Sequence, residues 1–459
     1  MAKLPTVAII GRPNTGKSTL FNRIVHRRLA IISDIPGTTR DHISSVVETD
    51  DVDFLIVDTG GMGGGTDDKD FEKDVHGQSL LAINHADLIL FTVNAREPIT
   101  KNDYEVIKLL RTKRKKHVPI VLIVTKCDNQ EIIDEALPTY HELAIADDVV
   151  PVSSINNLGT TDVIDAIVKH LVELHFFKRE KAIQNEDSLP RIALVGRPNV
   201  GKSSLVNAMM SDTQRQESPK LVSDIPGTTR DATDTIIRYH EQEYIFVDTA
   251  GLRKQARVEE DLESYAVLRT IQAMEGSEIT VLLLDGKQEV GRQDKRIVGM
   301  TIDSGKGLII LVNKSDLMSK EEKANKVLEI KASLPFAKYA PVLFVSAKTR
   351  EGLLKMFDII AMVQRNRYRR VSDKDLHNWL KDSIYGHPMG AVATTKHITQ
   401  AEDPPPTFVL FVKNPKQVQL SQLRYLDNRI REVFDFQGTP IRWITKGPRS
   451  REATKGRRK

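Results

Sequence analysis

The pattern of apolar and polar residues in this chain occurs twice. Short, continuous apolar segments alternate with longer stretches of helical periodicity, first over residues 7–152 and again over residues 192–345. Apolar strands that alternate with helices indicate a parallel sheet covered on both faces, because both sides of each strand are buried. The predicted strands are 7–10, 54–57, 88–93, 120–124 and 149–152 in the first copy, and 192–195, 244–247, 279–284, 308–312 and 342–345 in the second.

A different pattern begins after residue 366. It predicts a helix at 375–383, a rigid Asp-Pro-Pro-Pro break at 403–406, a strand at 407–412, a helix at 420–434 and a strand at 441–444. A charged stretch with few large apolar residues separates the two copies and is typical of a linker. We therefore predict an α/β domain at 1–175, a linker at 176–190, a second α/β domain at 191–365, a small α+β module at 366–446 and a basic tail at 447–459.

The length and composition agree with this division. A chain of 459 residues suggests about three domains, and no apolar run approaches the length of a membrane span. The N-terminus leads straight into a strand, which indicates no signal peptide. Cys127 is the single cysteine, so no intrachain disulfide can form and a reducing compartment is favoured. We expect a cytoplasmic protein.

The net charge of +5 is modest but unevenly distributed. One basic cluster comprises Arg365, Arg367, Arg369 and Arg370, and the residues from Lys446 to Lys459 form another. A basic tail is either a solvated end or an arm that binds nucleic acid, and charge alone leaves both possibilities open.

A glycine-rich motif follows the first strand of each copy and precedes a predicted helix. Its glycines allow backbone N–H groups to converge on phosphate oxygens, its lysine brings a full charge to the outer phosphates, and its serine can ligate Mg²⁺. Two complete matches in strand–helix context predict two phosphate-binding loops (P-loops). The residues are Gly11, Arg12, Pro13, Asn14, Thr15, Gly16, Lys17 and Ser18 in the first, and Gly196, Arg197, Pro198, Asn199, Val200, Gly201, Lys202 and Ser203 in the second.

Two further motifs follow each loop in the order found in P-loop GTPases. The segments 33–41 and 223–231 are identical, which makes them an internal repeat, and we expect Thr39 and Thr229 in them to reach Mg²⁺ and the γ-phosphate. An acid then ends an apolar strand, where it steadies Mg²⁺ while a glycine N–H contacts the γ-phosphate. These residues are Asp58, Thr59, Gly60 and Gly61 in the first copy, and Asp248, Thr249, Ala250 and Gly251 in the second.

The base is predicted from the motifs at the ends of later strands. Asn313, Lys314, Ser315 and Asp316 match the guanine-specifying pattern of GTPases, and Ser346, Ala347 and Lys348 complete that site. The aspartate accepts hydrogen bonds from the guanine N1–H and 2-amino groups, which adenine lacks. The first copy has Thr125, Lys126, Cys127 and Asp128, followed by Ser153, Ser154 and Ile155. It keeps the aspartate, so we still expect it to bind guanine. We expect its base-binding loop to be held less firmly than that of the second copy.

The residue that orients water in Ras-like proteins is missing. Met62 and Leu252 occupy its position, and an apolar side chain cannot orient water. Either turnover is very slow, or another group supplies the charge and positioning. In related GTPases with this loop, the asparagine that corresponds to Asn14 and Asn199 coordinates K⁺ beside the phosphates; alternatively, these asparagines only shape the turn. We favour K⁺. The predicted catalytic residues are Lys17, Thr39, Lys202 and Thr229, with Mg²⁺ at Ser18, Thr39, Ser203 and Thr229.

Together these motifs resemble the bacterial tandem-GTPase family called Der or EngA, over essentially the whole chain. Residues 405–412 and 423–428 resemble that family's C-terminal KH-like domain. The resemblance implies GTP and GDP as ligands, Mg²⁺, and a role in maturation of the large ribosomal subunit. It also implies that the first GTPase domain moves relative to the rest as the nucleotide changes. Because the C-terminal module has no Gly-x-x-Gly clamp loop, sequence-specific clamping of a single strand does not follow.

The resulting hypothesis is a GTP-hydrolysing switch that binds the large subunit and its rRNA as a monomer, without a membrane or DNA partner. One alternative is a nucleotide-gated RNA-binding scaffold whose first domain binds GTP without hydrolysing it, since both basic clusters and the altered first site agree with it. Another is a tRNA-modifying GTPase, which shares the Gly-Thr-Thr-Arg-Asp segment but needs an extra catalytic domain or a cysteine-based motif. Membrane remodelling is weaker, because no anchor or lipidation signal is present.

Overall fold

A computed structural model describes residues 4–26, 44–59, 83, 86–114, 117–141, 143–153, 156, 158–177, 189–210, 234–239, 242–249, 270–385, 389–395 and 397–447. The described residues up to 177 form one compact unit, and those from 189 onward form another. Within this described part of the chain, no helix is both long and apolar enough to cross a membrane.

The first unit is an α/β domain built on one sheet. The strand order among its described residues is β2-β3-β1-β4-β5-β6, parallel throughout except for the antiparallel pairing of β2 with β3. Helices α1 and α4 pack on one face of the sheet, and α2 and α3 pack on the other. The elements are β1 (Thr6–Ile10), α1 (Lys17–His26), β2 (Ser44–Val47), β3 (Phe54–Asp58), β4 (Leu88–Asn94), α2 (Lys101–Lys113), β5 (Ile120–Thr125), α3 (Gln130–His141), β6 (Asp148–Val152) and α4 (Thr160–Glu173).

The second unit begins with the same architecture. Its described strands follow the order β12-β11-β10-β7-β9-β8, and only β8 and β9 pair antiparallel. Helices α5 and α8 cover one face, and α6 and α7 cover the other. The elements are β7 (Arg191–Val195), α5 (Lys202–Met209), β8 (Thr235–Tyr239), β9 (Gln242–Val247), β10 (Ile279–Asp285), α6 (Arg292–Asp303), β11 (Gly307–Asn313), α7 (Lys320–Ser333), β12 (Val342–Phe344) and α8 (Leu353–Tyr368).

A small α+β module completes the second unit. It contains α9 (Asp373–Ile384), β13 (His397–Gln400), β14 (Thr407–Phe411), α10 (Leu420–Val433) and β15 (Arg442–Lys446). Strand β14 lies between antiparallel β13 and parallel β15. Leu423, Leu426 and Ile430 of α10 are buried in the module core, as their spacing predicts, whereas Val433 in the last turn is 58% exposed.

Backbone hydrogen bonds join this module to the second α/β domain. The Leu308 N–H donates to the Gly438 carbonyl at 2.7 Å, and the Gly438 N–H donates to the Tyr339 carbonyl at 2.9 Å. Gly438 has a φ of 78°, and a Cβ there would lie 2.2 Å from Cγ2 of Val363 on α8. Only glycine therefore fits at this contact without strain.

One of the four arginines in the predicted basic cluster is not at the surface. Arg367 is buried, and its Nη1 donates to the Gly305 carbonyl at 2.7 Å, so it ties helix α8 to the loop before β11. Arg365, Arg369 and Arg370 are exposed. The sequence pattern missed this division because alternate residues near the end of an amphipathic helix face opposite environments.

The prediction of two mostly parallel sheets covered by helices, followed by an α+β module, is confirmed. The domain limits stay predictions, and the predicted limit at 365–366 falls inside helix α8. Three strands were not predicted: Ser44–Val47, Thr235–Tyr239 and His397–Gln400. All three are short and lie at sheet edges, so their apolar pattern is weak.

Candidate nucleotide-binding sites

The sheet topology brings the motifs of each copy to one edge. Because β1, β3, β4 and β5 are parallel, their carboxyl ends lie together, which is where α/β sheets bind ligands. The phosphate loop follows β1, Asp58 ends β3 and Thr125 ends β5. In the second copy the loop follows β7 and Asn313 ends β11, with Asp248 one residue after β9.

The phosphate loops contain backbone conformations that few residues adopt. Gly16 and Gly201 have φ angles of 86° and 98°, in the left-handed region. A Cβ on Gly201 would also lie 2.4 Å from Nδ2 of Asn313. Asn14 and Asn199 have φ angles of 64° and 61°, a conformation that asparagine tolerates better than most residues. This geometry gives the two asparagines a conformational reason to be present, whether or not they bind a cation.

The predicted phosphate-binding lysines point across their own loops. Nζ of Lys17 donates to the Arg12 carbonyl at 2.7 Å. Nζ of Lys202 donates to the carbonyls of Gly196 and Arg197 at 2.8 and 2.7 Å. Burial lowers the pKa of Lys17, and it lowers the pKa of Lys202 to about 8, against the effect of the nearby Asp294 carboxylate. An anion at the loop would oppose this effect of burial and favour the charged form of each lysine.

The first copy brings together two oxygen ligands suited to Mg²⁺. The Ser18 hydroxyl donates to Oδ2 of the buried Asp58 at 2.5 Å. Thr59 fixes the end of this strand, because its hydroxyl donates to the Ile9 carbonyl at 2.7 Å. A hydroxyl beside a carboxylate matches the hard oxygen ligands that Mg²⁺ prefers, and its remaining ligands would be phosphate oxygens and water. Among the described residues, no group of three or more His, Cys, Asp or Glu side chains is arranged to hold a metal ion.

Several predicted site residues lie outside the described residues, and their roles stay predictions. They are Thr39, Gly60, Gly61 and Met62 in the first copy, Thr229, Ala250, Gly251 and Leu252 in the second, and Ser154 and Ile155 in the first base loop.

The second base site is held by side-chain hydrogen bonds in two directions. Nδ2 of Asn313 donates to the Val200 carbonyl in the phosphate loop at 2.8 Å. Oδ1 of Asn313 accepts from the Ala347 N–H at 3.1 Å. The Ser346 hydroxyl donates to Oδ1 of Asp316 at 2.6 Å and lowers the pKa of Asp316. The asparagine thus links the phosphate loop to the loop that orients Asp316, the predicted base-reading aspartate.

The first base site keeps half of this arrangement. The Thr125 hydroxyl lies 2.7 Å from the Thr15 carbonyl in the phosphate loop and 2.9 Å from the Val93 carbonyl, and its one proton is shared between them. A hydroxyl with these two partners cannot also accept a backbone N–H bond of the kind that Oδ1 of Asn313 accepts from Ala347. The Ser153 hydroxyl still donates to Oδ1 of Asp128 at 2.5 Å, so this serine acts as Ser346 does.

An arginine–aspartate pair behind each phosphate loop was not predicted. Nε of Arg12 donates to both oxygens of Asp103 at 3.1 Å, and Arg197 pairs with Asp294 at 2.9 Å. Each aspartate lies in the first turn of its helix and caps that helix by accepting from the N–H of Thr100 or Gly291 at 2.9 Å. Comparison of the two copies could have found them, since each aspartate lies nine residues after the polar residue that ends β4 or β10.

We expect Asn313→Thr to weaken the second site while preserving its link to the phosphate loop. The threonine loses the bond from Ala347, which contributes about 1 kcal/mol, so GDP affinity should fall roughly fivefold. Titration with a fluorescent GDP derivative in a Lys17→Ala background isolates this site. Asn313→Ala loses both side-chain hydrogen bonds and should bind GDP more weakly still. Equal GDP affinity of Asn313→Thr and the parent would contradict this account.

We expect the Cys127 thiol to react slowly with iodoacetamide in the folded chain. The thiol is 1% exposed, its Sγ donates to the Val124 carbonyl at 3.2 Å, and burial raises its pKa. A raised pKa leaves less thiolate at a given pH, so the rate should increase as pH rises, and GDP should slow it by holding the base motif. The urea-unfolded chain is the control. Equal rates for the folded and unfolded chains would contradict this prediction.

Comparison with known proteins agrees with this geometry. A family model described as a 50S ribosome-binding GTPase matches residues 6–126 and 191–314, and one described as the C-terminal KH-domain-like part of EngA bacterial GTPases matches residues 370–446.

Curated relatives match over nearly the whole chain. A GTPase Der of Listeria monocytogenes serotype 4a is 41% identical over 97% of this chain and 99% of its own. A GTPase Der of Halalkalibacterium halodurans is 42% identical over 96% of this chain and 98% of its own. These similarities confirm GTP hydrolysis as the activity and Mg²⁺ and guanine nucleotides as ligands. The chain belongs to the Der family of tandem-domain GTPases.

Proposed function

We propose that this protein is a cytoplasmic, monomeric GTP-hydrolysing switch that acts in assembly of the large ribosomal subunit. The observation that carries the proposal is the convergence of a phosphate loop and a base-reading aspartate at the same sheet edge in both copies. The matched family model, whose description is a 50S ribosome-binding GTPase, supports the ribosomal target. The exposed Arg365, Arg369 and Arg370 offer positive charge for the rRNA backbone.

Each site residue has a role that follows from its chemistry. Lys17 and Lys202 hold the outer phosphates, and their loop N–H groups bind the phosphate oxygens. Ser18 and Ser203 ligate Mg²⁺ together with Thr39 and Thr229. Asp58 and Asp248 would steady the ion, and the bond between Ser18 and Asp58 supports this assignment in the first copy.

Discrimination between guanine and adenine falls to Asp128 and Asp316. In each, a serine hydroxyl occupies one side of the carboxylate and fixes its orientation before the base arrives. The carboxylate then accepts from guanine N1–H and the 2-amino group, whereas adenine would leave it unpaired.

Hydrolysis in this protein depends on positioning and charge neutralisation. Met62 and Leu252 cannot orient water, so we propose that K⁺ at Asn14 and Asn199 supplies positive charge to the transition state. A carbonyl-type side-chain oxygen beside phosphate oxygens is a suitable ligand for this ion. The left-handed backbone at both asparagines is compatible with a second, purely conformational reason for their presence.

The alternative function is an RNA-binding scaffold gated by nucleotide, in which only the second domain hydrolyses GTP. Thr125 favours this alternative. Its hydroxyl bonds the phosphate loop, as Asn313 does in the second site, but it provides no bond to the loop that orients the aspartate. The retained bond between Ser153 and Asp128 favours two working sites.

Turnover of single-site variants distinguishes these functions. We expect Lys17→Ala and Lys202→Ala each to lower steady-state GTP hydrolysis, and each remaining site to be faster in K⁺ than in Na⁺ at equal ionic strength. Phosphate release is the measurement. Unchanged turnover in Lys17→Ala would favour the scaffold, and equal rates of the wild type in the two salts would exclude the role of K⁺.

We expect binding to large ribosomal subunits to require the GTP-bound state. Co-sedimentation should be compared with a non-hydrolysable GTP analogue, with GDP and without nucleotide, at one salt concentration because basic proteins adhere to RNA. Binding should occur with the analogue and be lost with GDP. Small ribosomal subunits are the control, and equal binding in all three states would reject the switch.

A further inference from the structure

Arg96 lies in the loop after β4 and forms an ion pair with the base-reading carboxylate of the first site. Its Nη2 donates to Oδ2 of Asp128, while the Ser153 hydroxyl donates to Oδ1 at 2.5 Å. Both oxygens of Asp128 therefore have partners within the chain. The Arg96 side chain is 55% exposed and that of Asp128 is 24% exposed, so the pair covers the carboxylate from the solvent side.

The second site lacks this pair although it has a basic residue at the same place. Lys287 corresponds to Arg96, since each lies two residues after the polar residue that ends β10 or β4. Nζ of Lys287 donates to Oε1 of Glu322 on α7 at 2.7 Å, away from the base motif. Among the described residues, Asp316 accepts a side-chain bond from Ser346 and has no ion pair.

Two substitutions between the copies accompany the difference. Asp285 ends β10, and its carboxylate accepts from Nζ of Lys314 at 2.6 Å and from the Lys287 N–H at 2.9 Å. Asn94 ends β4; its oxygen accepts from the Arg96 N–H at 3.1 Å, and its amide donates to Glu97. The turn is the same, but the neutral Asn94 cannot pair with a cation.

The acidic partner on the following helix differs as well. Glu322 lies six residues after Asp316, and Asp134 lies six residues after Asp128. Asp134 accepts from Nε2 of Gln130 at 2.9 Å and is one methylene shorter than glutamate. Asp128 is therefore the carboxylate with which Arg96 pairs in the first copy.

We propose that Arg96 is a specificity-determining latch of the first nucleotide site, which occupies Asp128 until guanine displaces it. The inference rests on the proposed role of Asp128 in reading guanine. Guanine needs acceptors on the carboxylate for its N1–H and 2-amino groups, and Arg96 holds one of them in the absence of base. Binding at the first site includes the loss of this ion pair, whereas binding at the second site does not.

The latch makes affinity at the first site lower and dependent on salt. Partly exposed ion pairs are weak, so its removal should tighten GDP binding about two- to fivefold. Added salt weakens exposed pairs in the wild type, so the difference between variant and parent should shrink as ionic strength rises.

The test is GDP titration of Arg96→Ala in a Lys202→Ala background, which isolates the first site. We expect tighter binding than in the Lys202→Ala parent at low salt and a smaller difference at high salt. Arg96→Lys keeps a cation that can pair with Asp128, so its affinity should stay near that of the parent. The matched control is Lys287→Ala in a Lys17→Ala background, where Glu322 loses its partner and the second site should bind GDP unchanged.

The outcomes separate the latch from the function on which it rests. Equal or weaker GDP binding by Arg96→Ala, with the same thermal unfolding midpoint as the parent, overturns the latch; weaker binding would mean that Arg96 contacts the nucleotide instead. If the first site of the parent binds GDP no better than ADP, guanine recognition by Asp128 is wrong and the latch falls with it. Selective GDP binding that tightens in Arg96→Ala supports both.

Discussion

One side-chain hydrogen bond joins the phosphate half to the base half of each nucleotide site. In the second copy Asn313 donates to the Val200 carbonyl, and in the first Thr125 reaches the Thr15 carbonyl. The partners lie 113 and 110 residues apart in sequence, so the bond forms only when the parallel strands between them pair in register. The close approach of Gly201 to Asn313 depends on the same register. The phosphate loop and the base motif are therefore correctly placed only when the sheet between them forms in the right register.

The two copies share this framework and differ at its rim. Asp285 attracts Lys314 at the end of β10, whereas the neutral Asn94 leaves the first base motif without that partner. In the first copy, Arg96 forms an ion pair with Asp128. The amide of Asn94 in place of the Asp285 carboxylate, and Asp134 in place of Glu322, thus accompany a different set of ion pairs around the base motif.

Much of this arrangement could be predicted from the sequence. The features that the sequence did not reveal were missed for physical reasons. The central strands, the phosphate loops and Asn313 to Asp316 could be predicted because continuous apolar runs and glycine-rich turns are local signals. The pairs of Arg12 with Asp103 and Arg197 with Asp294 were missed, since their partners are about a hundred residues apart and each residue alone resembles an ordinary surface charge. The one sequence signal for them is the recurrence of both residues at corresponding positions in the two copies. Arg367 was misjudged for a related reason: charge in a sequence does not reveal which side of a helix is buried.

The contact through Gly438 has a mechanical consequence. It attaches the C-terminal module to the amino-terminal end of β11, at the end of the sheet opposite the second nucleotide site. Helix α8 continues without a break past the predicted domain limit. Two backbone hydrogen bonds and a bond from the Asn366 amide to the Gln437 carbonyl at 3.0 Å tie the module to this domain. The second GTPase domain and the module therefore belong to one compact unit, so a displacement of β11 would be passed directly to the backbone of the module.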